Sequence, residues 1–461
     1  MRTVPSRDST KPVVVVGAGV AGLVSAHLLL EAGVPVVVVE RQPQIGGLAK
    51  SFVYDGFVFD CGPHRFHVEN PNVKSYLERV LADRATYFPR RSEVYFEGSY
   101  YNWPLHPKNL LQLPKDLAVR SLGDLAFGGL KKYAGDTFED YVLRQYGPTL
   151  YESFFRGYSE KFLGIHPRDT HADWAKVGIN RAIIDEKLEM QNLFQLARTT
   201  LTQVKKTEID FVYPEGGLYR AWVEVARAIT ALGGTIHTGV GAELVLDPET
   251  SRIAEVRAGD KSYEPSEVIW TAPITLACKQ LGLPFPDLDY LGLVLFNVMI
   301  EQESPRAYQW CYYGATDIVF NRISIPRYFC GSTAPPGMTG YCVELTCRVG
   351  DDRWKNAERL TDWVLDDLVK VGMLKSRRRV IDVKIERIKD SYPIYKRNYP
   401  EELDTARRNL AAVENLHLAG RTGLFWYNNM DHSMENAMQL TSKLLRDRLH
   451  VPEREMQASV S

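Results

Sequence analysis

Residues 13–48 constrain this chain more than any other stretch. The run Val13-Val14-Val15-Val16 is apolar and β-branched, as in a parallel strand buried on both faces, and it opens directly into Gly17-Ala18-Gly19-Val20-Ala21-Gly22. The spacing predicts a helix from that point. Gly17 suits the tight turn, Gly19 the close approach of backbone to a pyrophosphate, and Gly22 the packing of helix on strand. The helix N-terminus then offers its N–H groups and dipole to the phosphates. Gly33 ends the helix, and the β-branched run 36–39 delivers Glu40 at the carboxyl end of a second strand. Glu40 falls near the roughly 20-residue separation at which a carboxylate hydrogen-bonds a ribose hydroxyl. A carboxylate there disfavours a 2′-phosphate, and hence NADP at this site. Ile45-Gly46-Gly47-Leu48 follows, and fingerprint, acid and second glycine pair stand in the order that FAD binding requires. Arg41 and Val240 complete the expected contacts of this part of the cofactor.

The chain has 461 residues, enough for two or three domains. Lys and Arg number 56 against 57 Asp and Glu, so the net charge of −1 gives no electrostatic case for nucleic acid or an anionic membrane. No apolar run approaches the roughly 20 residues of a membrane span, and residues 1–11 lack a signal-peptide core, so a cytoplasmic protein without an integral membrane segment is expected. The six cysteines form no CxxC pair and no metal-ligand spacing, which predicts reduced thiols. Cys61 lies beside an expected flavin contact and reads most simply as a small buried hydrophobe.

The fold class expected is α/β, a discontinuous Rossmann-like FAD-binding domain with a helical insert and a β-sheet substrate domain. FAD-binding segments are expected at 1–85, 209–275 and 386–461, the helical insert at 86–208 and the substrate sheet at 276–385. Within the first segment, 52–59 alternates as a hairpin with Asp55-Gly56 as its turn. Residues 211–213 and 268–273 are expected to return to the nucleotide domain as strands, and the last helix is expected over 433–449.

These residues resemble a known group, the FAD-dependent UDP-galactopyranose mutases, within the wider class of amine oxidases and protoporphyrinogen oxidase. The resemblance runs along most of the chain. Its more specific carriers are Gly62-Pro63-His64-Arg65-Phe66-His67, Asn102-Trp103-Pro104 and Gly420-Arg421-Thr422-Gly423, followed by 427–433. It implies a mechanism in which reduced flavin N5 attacks the anomeric carbon, expels the nucleoside diphosphate and allows pyranose and furanose rings to interconvert. It implies catalytic or substrate roles for His64, His67, Arg322, Tyr392 and Tyr427, of which Arg322 and the two tyrosines would hold the diphosphate. It places Gly62, His64, Gly420, Arg421, Asn429 and Met430 against the flavin. The implied partners are a nucleotide sugar and an external reductant such as NADPH, with a homodimer as the expected assembly.

The chain departs from that pattern at two points. Val177 or Gly178 stands where a second diphosphate arginine is expected, with Lys176 and Arg181 nearby as replacements. Leu163 replaces the uracil-stacking tryptophan of bacterial mutases, while Trp174 is similar to a tryptophan of eukaryotic ones. The nucleotide is therefore open. So is a second reading, an FAD-dependent oxidase or dehydrogenase of the amine-oxidase or protoporphyrinogen-oxidase type, which shares the fingerprint. A third reading keeps FAD as a structural element of a binding protein.

Overall fold

The computed structural model describes residues 11–103, 114–127, 133–176, 211–447 and 449. The strand β1 (Val13–Val16), the helix α1 (Val20–Glu31) and the strand β2 (Val36–Val39) form the expected βαβ unit, both strands buried along their whole length. They sit in a five-stranded parallel sheet, flanked by Thr235–His237 next to β2 and by Val268–Trp270 and then Leu416–Leu418 next to β1. Complete burial explains the uninterrupted valines, since neither face of such a sheet meets water. The helix Met430–Asp447 packs on α1.

A second sheet has seven strands, in the order Val380–Ile394, Asp289–Ile300, Thr339–Cys347, Arg322–Ser324, Trp310–Tyr313, Ser92–Phe96 and Ser99–Trp103. One face packs toward the nucleotide sheet in a shared core containing Val14, Val16 and Trp270 together with Leu293, Leu295 and Cys342. The other face is covered by Thr361–Lys370. The architecture is α/β, with a Rossmann-like domain assembled from separated segments and a second sheet docked on it.

Three expectations need correction. The segment expected to be a helical insert contributes the last two strands of the seven-stranded sheet, besides its helices Lys115–Phe127, Phe138–Leu150 and Gly157–Leu163. The strand Phe211–Pro214 joins Phe66–His67 and Ala85–Phe88 in a separate three-stranded sheet instead of the nucleotide sheet. The strand Val380–Ile394 runs across the boundary expected at 385, so the second sheet extends into the third FAD-binding segment. The hairpin forms as expected, Ser51–Tyr54 pairing with Phe57–Asp60 and both turn residues at positive φ, 47° for Asp55 and 82° for Gly56.

Candidate cofactor and substrate site

The glycine fingerprint is held by close backbone contacts. Gly17 has φ 103°, and a Cβ there would lie 2.2 Å from Thr271 Oγ1. A Cβ on Gly22 would fall 1.9 Å from the Gly17 carbonyl oxygen, which is the close helix-on-strand packing expected of that position. The second glycine pair lies against the first: Gly46 N donates to Ala18 O at 2.8 Å, and a Cβ on Gly47 would meet Gly19 Cα at 2.9 Å. No side chain caps α1, so its first-turn N–H groups face a cradle without Cβ atoms. Leu48 follows in a short 3₁₀ turn and packs on the shared core.

Glu40 is buried, with Oε2 accepting from Ala18 N at 2.8 Å and Oε1 from Gln42 N at 2.7 Å. Two N–H donors fix the carboxylate at the strand end, and each oxygen keeps a lone pair for a hydroxyl. Val240 N donates to Glu40 O at 3.1 Å, so Val240 lies beside the acid. Arg41 is exposed and faces Asp390, whose carboxyl burial raises and Arg41 lowers. Gly420, at φ 75°, closes the cradle from the third segment, where a Cβ would come 3.2 Å from Ala21 Cβ.

The seven-stranded sheet supplies the facing wall. Arg322 lies opposite Glu344 on one side and Tyr312 on the other, so the three make a transverse row. Arg322 Nε and Nη2 donate to the Glu344 carboxylate at 2.6 and 2.5 Å, and Nη2 also donates to Tyr392 OH at 2.9 Å. Arginine and glutamate are both buried. Burial alone would lower the guanidinium pKa, but the Glu344 carboxylate reverses this and holds it well above its ordinary value. A bulge near residues 388–392 turns the last strand so that Ser391 O accepts from Arg421 Nη1 at 3.4 Å while Tyr392 reaches Arg322.

Arg421 Nη2 donates to Asn428 O, and its Cζ lies 5.7 Å from the Tyr392 ring and 5.3 Å from the Tyr427 ring. Trp174 stacks on Tyr427 at 5.1 Å and 16°, while Phe162 meets Tyr392 at 5.1 Å. Arg322, Arg421, Tyr392, Tyr427 and Trp174 therefore converge, which brings three of the expected catalytic residues together. Desolvation raises the Tyr392 and Tyr427 phenols, so both stay protonated as hydrogen-bond donors.

His64 belongs to the same cluster. The residue is half-buried, and desolvation first, then Arg421, Arg322 and Arg65, holds its pKa well below the ordinary value. The imidazole is neutral, and Nδ1 is buried without a hydrogen-bond partner. An orphaned buried nitrogen near Arg421, the residue that follows Gly420 of the cradle, fits a polar heterocycle such as an isoalloxazine, which would satisfy it. His67 is placed differently, in the short strand Phe66–His67, with its ring edge-on to Phe211 at 4.6 Å. Met430 is buried at the start of the last helix, and Asn429 O accepts from Ser433 N at 3.2 Å. Cys61 is one of six free, buried cysteines, and burial pushes its thiol up to about 12, which makes it inert.

Two residues that the structure brings to the site lay outside the expected set. Glu344 orients Arg322, and its signal was a lone carboxylate inside the apolar strand Thr339–Cys347, which demands a buried partner. Asn428 is buried with Nδ2 unpartnered, directly before the expected flavin contacts. Val177, Gly178 and Arg181 lie outside the described residues, and Lys176 pairs with Asp173 at 2.6 Å. Leu163 is fully buried and lines a cavity of about 770 Å³ that shares no residue with the glycine cradle.

Fold and cradle together define a protein with a Rossmann-like dinucleotide-binding domain. Residues 15–80 match the NAD(P)-binding Rossmann-like domain family. Over 97% of this chain and 96% of the other, the fold is that of a crystal structure of reduced UDP-galactopyranose mutase, at a TM-score of 0.82 and 19% identity. A probable UDP-galactopyranose mutase of Klebsiella pneumoniae is 32% identical over 36% of this chain and 45% of its own length. A dTDP-fucopyranose mutase of Escherichia coli is 27% identical over 36% of this chain and 45% of its length. A carotenoid 3,4-desaturase of Haloarcula japonica is 24% identical over 61% of this chain and 59% of its length. The chain thus spans about half the length of the curated relatives it matches. Among the described residues no helix is long and apolar enough to cross a membrane.

Proposed function

We propose that this protein is an FAD-dependent mutase that interconverts the pyranose and furanose forms of a nucleotide-linked sugar. The observation that carries the reading is the meeting of Arg322, Arg421, Tyr392 and Tyr427 beside the glycine cradle and His64. The similarity to proteins named UDP-galactopyranose mutase and dTDP-fucopyranose mutase supports it.

Gly17, Gly19, Gly22, Gly46, Gly47 and Gly420 would admit the cofactor's backbone-close portions, and Glu40 would take a ribose hydroxyl. Neutral His64 Nδ1, Asn428 Nδ2, Asn429 and Met430 would meet the ring system. Reduced FAD supplies the electron pair that a sugar carbon accepts. The chain's own part is electrostatic: Arg322 and the protonated phenols of Tyr392 and Tyr427 stabilise a departing diphosphate, and the Trp174–Tyr427 stack excludes water from the pocket. The proposal includes an external reductant, NADPH or similar, a cytoplasmic location and a homodimer.

The deciding experiment is anaerobic incubation of dithionite-reduced protein with UDP- and dTDP-linked hexoses, followed by chromatography for a ring isomer. The expected result is isomer formation by reduced protein alone. Equal turnover by oxidised protein, without reductant, would overturn the reading. The alternative, an FAD-dependent oxidase or dehydrogenase, draws on the likeness to the desaturase and on the Glu344 carboxylate that already balances Arg322. Peroxide release with a small amine or alcohol, and no ring isomer, would favour it.

A further inference from the structure

We propose that Arg65 is the second cation for the diphosphate of the ligand, acting with Arg322 across the loop 62–65; this rests on the mutase reading. Arg322 alone is poorly matched to a dianion, because its charge is already balanced by the bidentate bond to Glu344. A diphosphate held there needs positive charge beyond Arg322, and Arg421, the other cation of the cluster, already donates to the Ser391 and Asn428 carbonyls.

The loop carrying Arg65 crosses the Arg322–Glu344 pair. A Cβ on Gly62 would lie 3.3 Å from Arg322 Nη2 and 3.4 Å from Glu344 Oε1, so the loop backbone sits against both side chains. Three residues of chain reach at most about 10 Å, which keeps Arg65 close to that pair. The Arg65 guanidinium is clamped between two rings, its Cζ 4.4 Å from the centre of Trp310 and 4.9 Å from that of Phe211. Rings on its faces leave the edges for hydrogen bonds. Nη1 donates to Pro63 O at 3.1 Å, while Nε is buried without a partner.

Among the described residues no carboxylate lies within ion-pair distance of Arg65; Asp431 acts on it only at longer range, and Arg90 and Arg322 add like charge. Burial, followed by Arg90, lowers its pKa to about 10, as expected of a cation short of anionic partners. Phe211 and Trp310 hold the fork flat and compensate part of the lost hydration, but an aromatic face is a weaker partner than an anion. A phosphate oxygen would complete the set. The alternative is that Arg65 only staples Phe211 to Trp310.

The test is titration of the flavin-loaded protein with UDP and dTDP, read by calorimetry and by Trp fluorescence, with uridine as the control that carries no phosphate. Arg65→Met is expected to weaken UDP binding about tenfold or more, as loss of a charge-assisted hydrogen bond does, and to flatten its salt dependence, with uridine binding unchanged. Arg65→Lys, which keeps the charge and loses the planar fork, is expected to fall between wild type and Arg65→Met, and it serves if Arg65→Met does not fold. Wild-type affinity for UDP in either variant, or equal loss for uridine and UDP, overturns the proposal. Failure of the wild-type protein to bind any nucleoside diphosphate would instead overturn the mutase reading itself.

Discussion

Arg322 can present a rigid fork to a ligand only because Glu344 holds it from behind. The two residues are opposed across neighbouring antiparallel strands, so their backbones fix the pair before any side-chain choice is made. Removing one member leaves the other charged and buried, which costs about 3–5 kcal/mol, whereas replacing both with apolar side chains of similar volume is often nearly neutral. Glu344→Ala is therefore expected to lower stability by about 3–5 kcal/mol in urea denaturation. The double variant Arg322→Met, Glu344→Leu is expected to lose much less than the single one. Equal losses would mean that the ion pair is not the unit it looks like. At this scale the sequence was informative where a residue type has one physical use. The backbone roles of Gly17 and Gly22 were legible because tight turns and close approaches leave few substitutes, and the strand-end position of Glu40 was legible from the β-branched run before it. The surroundings of Arg65 were not, because Phe211 and Trp310 lie far along the chain, and motif adjacency to His64 did not reveal that His67 packs on Phe211.

The hairpin Ser51–Tyr54 and Phe57–Asp60 shows how one element positions another. Its last residue, Asp60, is buried and accepts from Ser51 Oγ at 2.6 Å and from Tyr213 OH at 2.5 Å, which ties the hairpin to the strand Phe211–Pro214 beneath the His64 loop. Burial raises the Asp60 carboxyl to about 6, against the lowering by those hydroxyls and the Leu218 N–H. A carboxyl whose folded pKa exceeds its unfolded one stabilises the fold fully below pH 4, and this contribution is lost as pH rises through 6. The magnitude is on the order of 3 kcal/mol. Asp60→Asn mimics the protonated acid, so the stability of this variant relative to wild type is expected to grow between pH 4 and 7. Chemical denaturation at several pH values measures it, and a difference independent of pH would refute the assignment. The hairpin itself was legible, because Asp55-Gly56 between alternating strands admits few other turns. The strands Ser92–Phe96 and Ser99–Trp103 were not: as the edge of the second sheet they carry exposed and half-buried positions, so the apolar alternation that marks an interior strand is weak there.

At the scale of the molecule, the site exists only where the two sheets meet. The cradle comes from residues 17–22, 46–47 and 420, and the facing wall from Arg322, Glu344 and Tyr392. The core between them is shared, with Val14, Val16 and Trp270 of one sheet in the same cluster as Leu293, Leu295 and Cys342 of the other. Neither sheet keeps its inner face dry without the other, so flavin-free protein is expected to unfold in a single transition. A cofactor that binds only the folded state adds about 2.7 kcal/mol when present at about 100 times its Kd. For 461 residues the unfolding entropy scales to about 1 kcal/mol per kelvin, so saturation with FAD is expected to raise Tm by about 3 °C without changing the number of transitions. Calorimetry of flavin-free and reconstituted protein checks both statements. Two resolved transitions in the flavin-free protein, merging only when FAD is added, would mean that the cofactor and not the common core joins the sheets, and the site geometry would then depend on its own ligand.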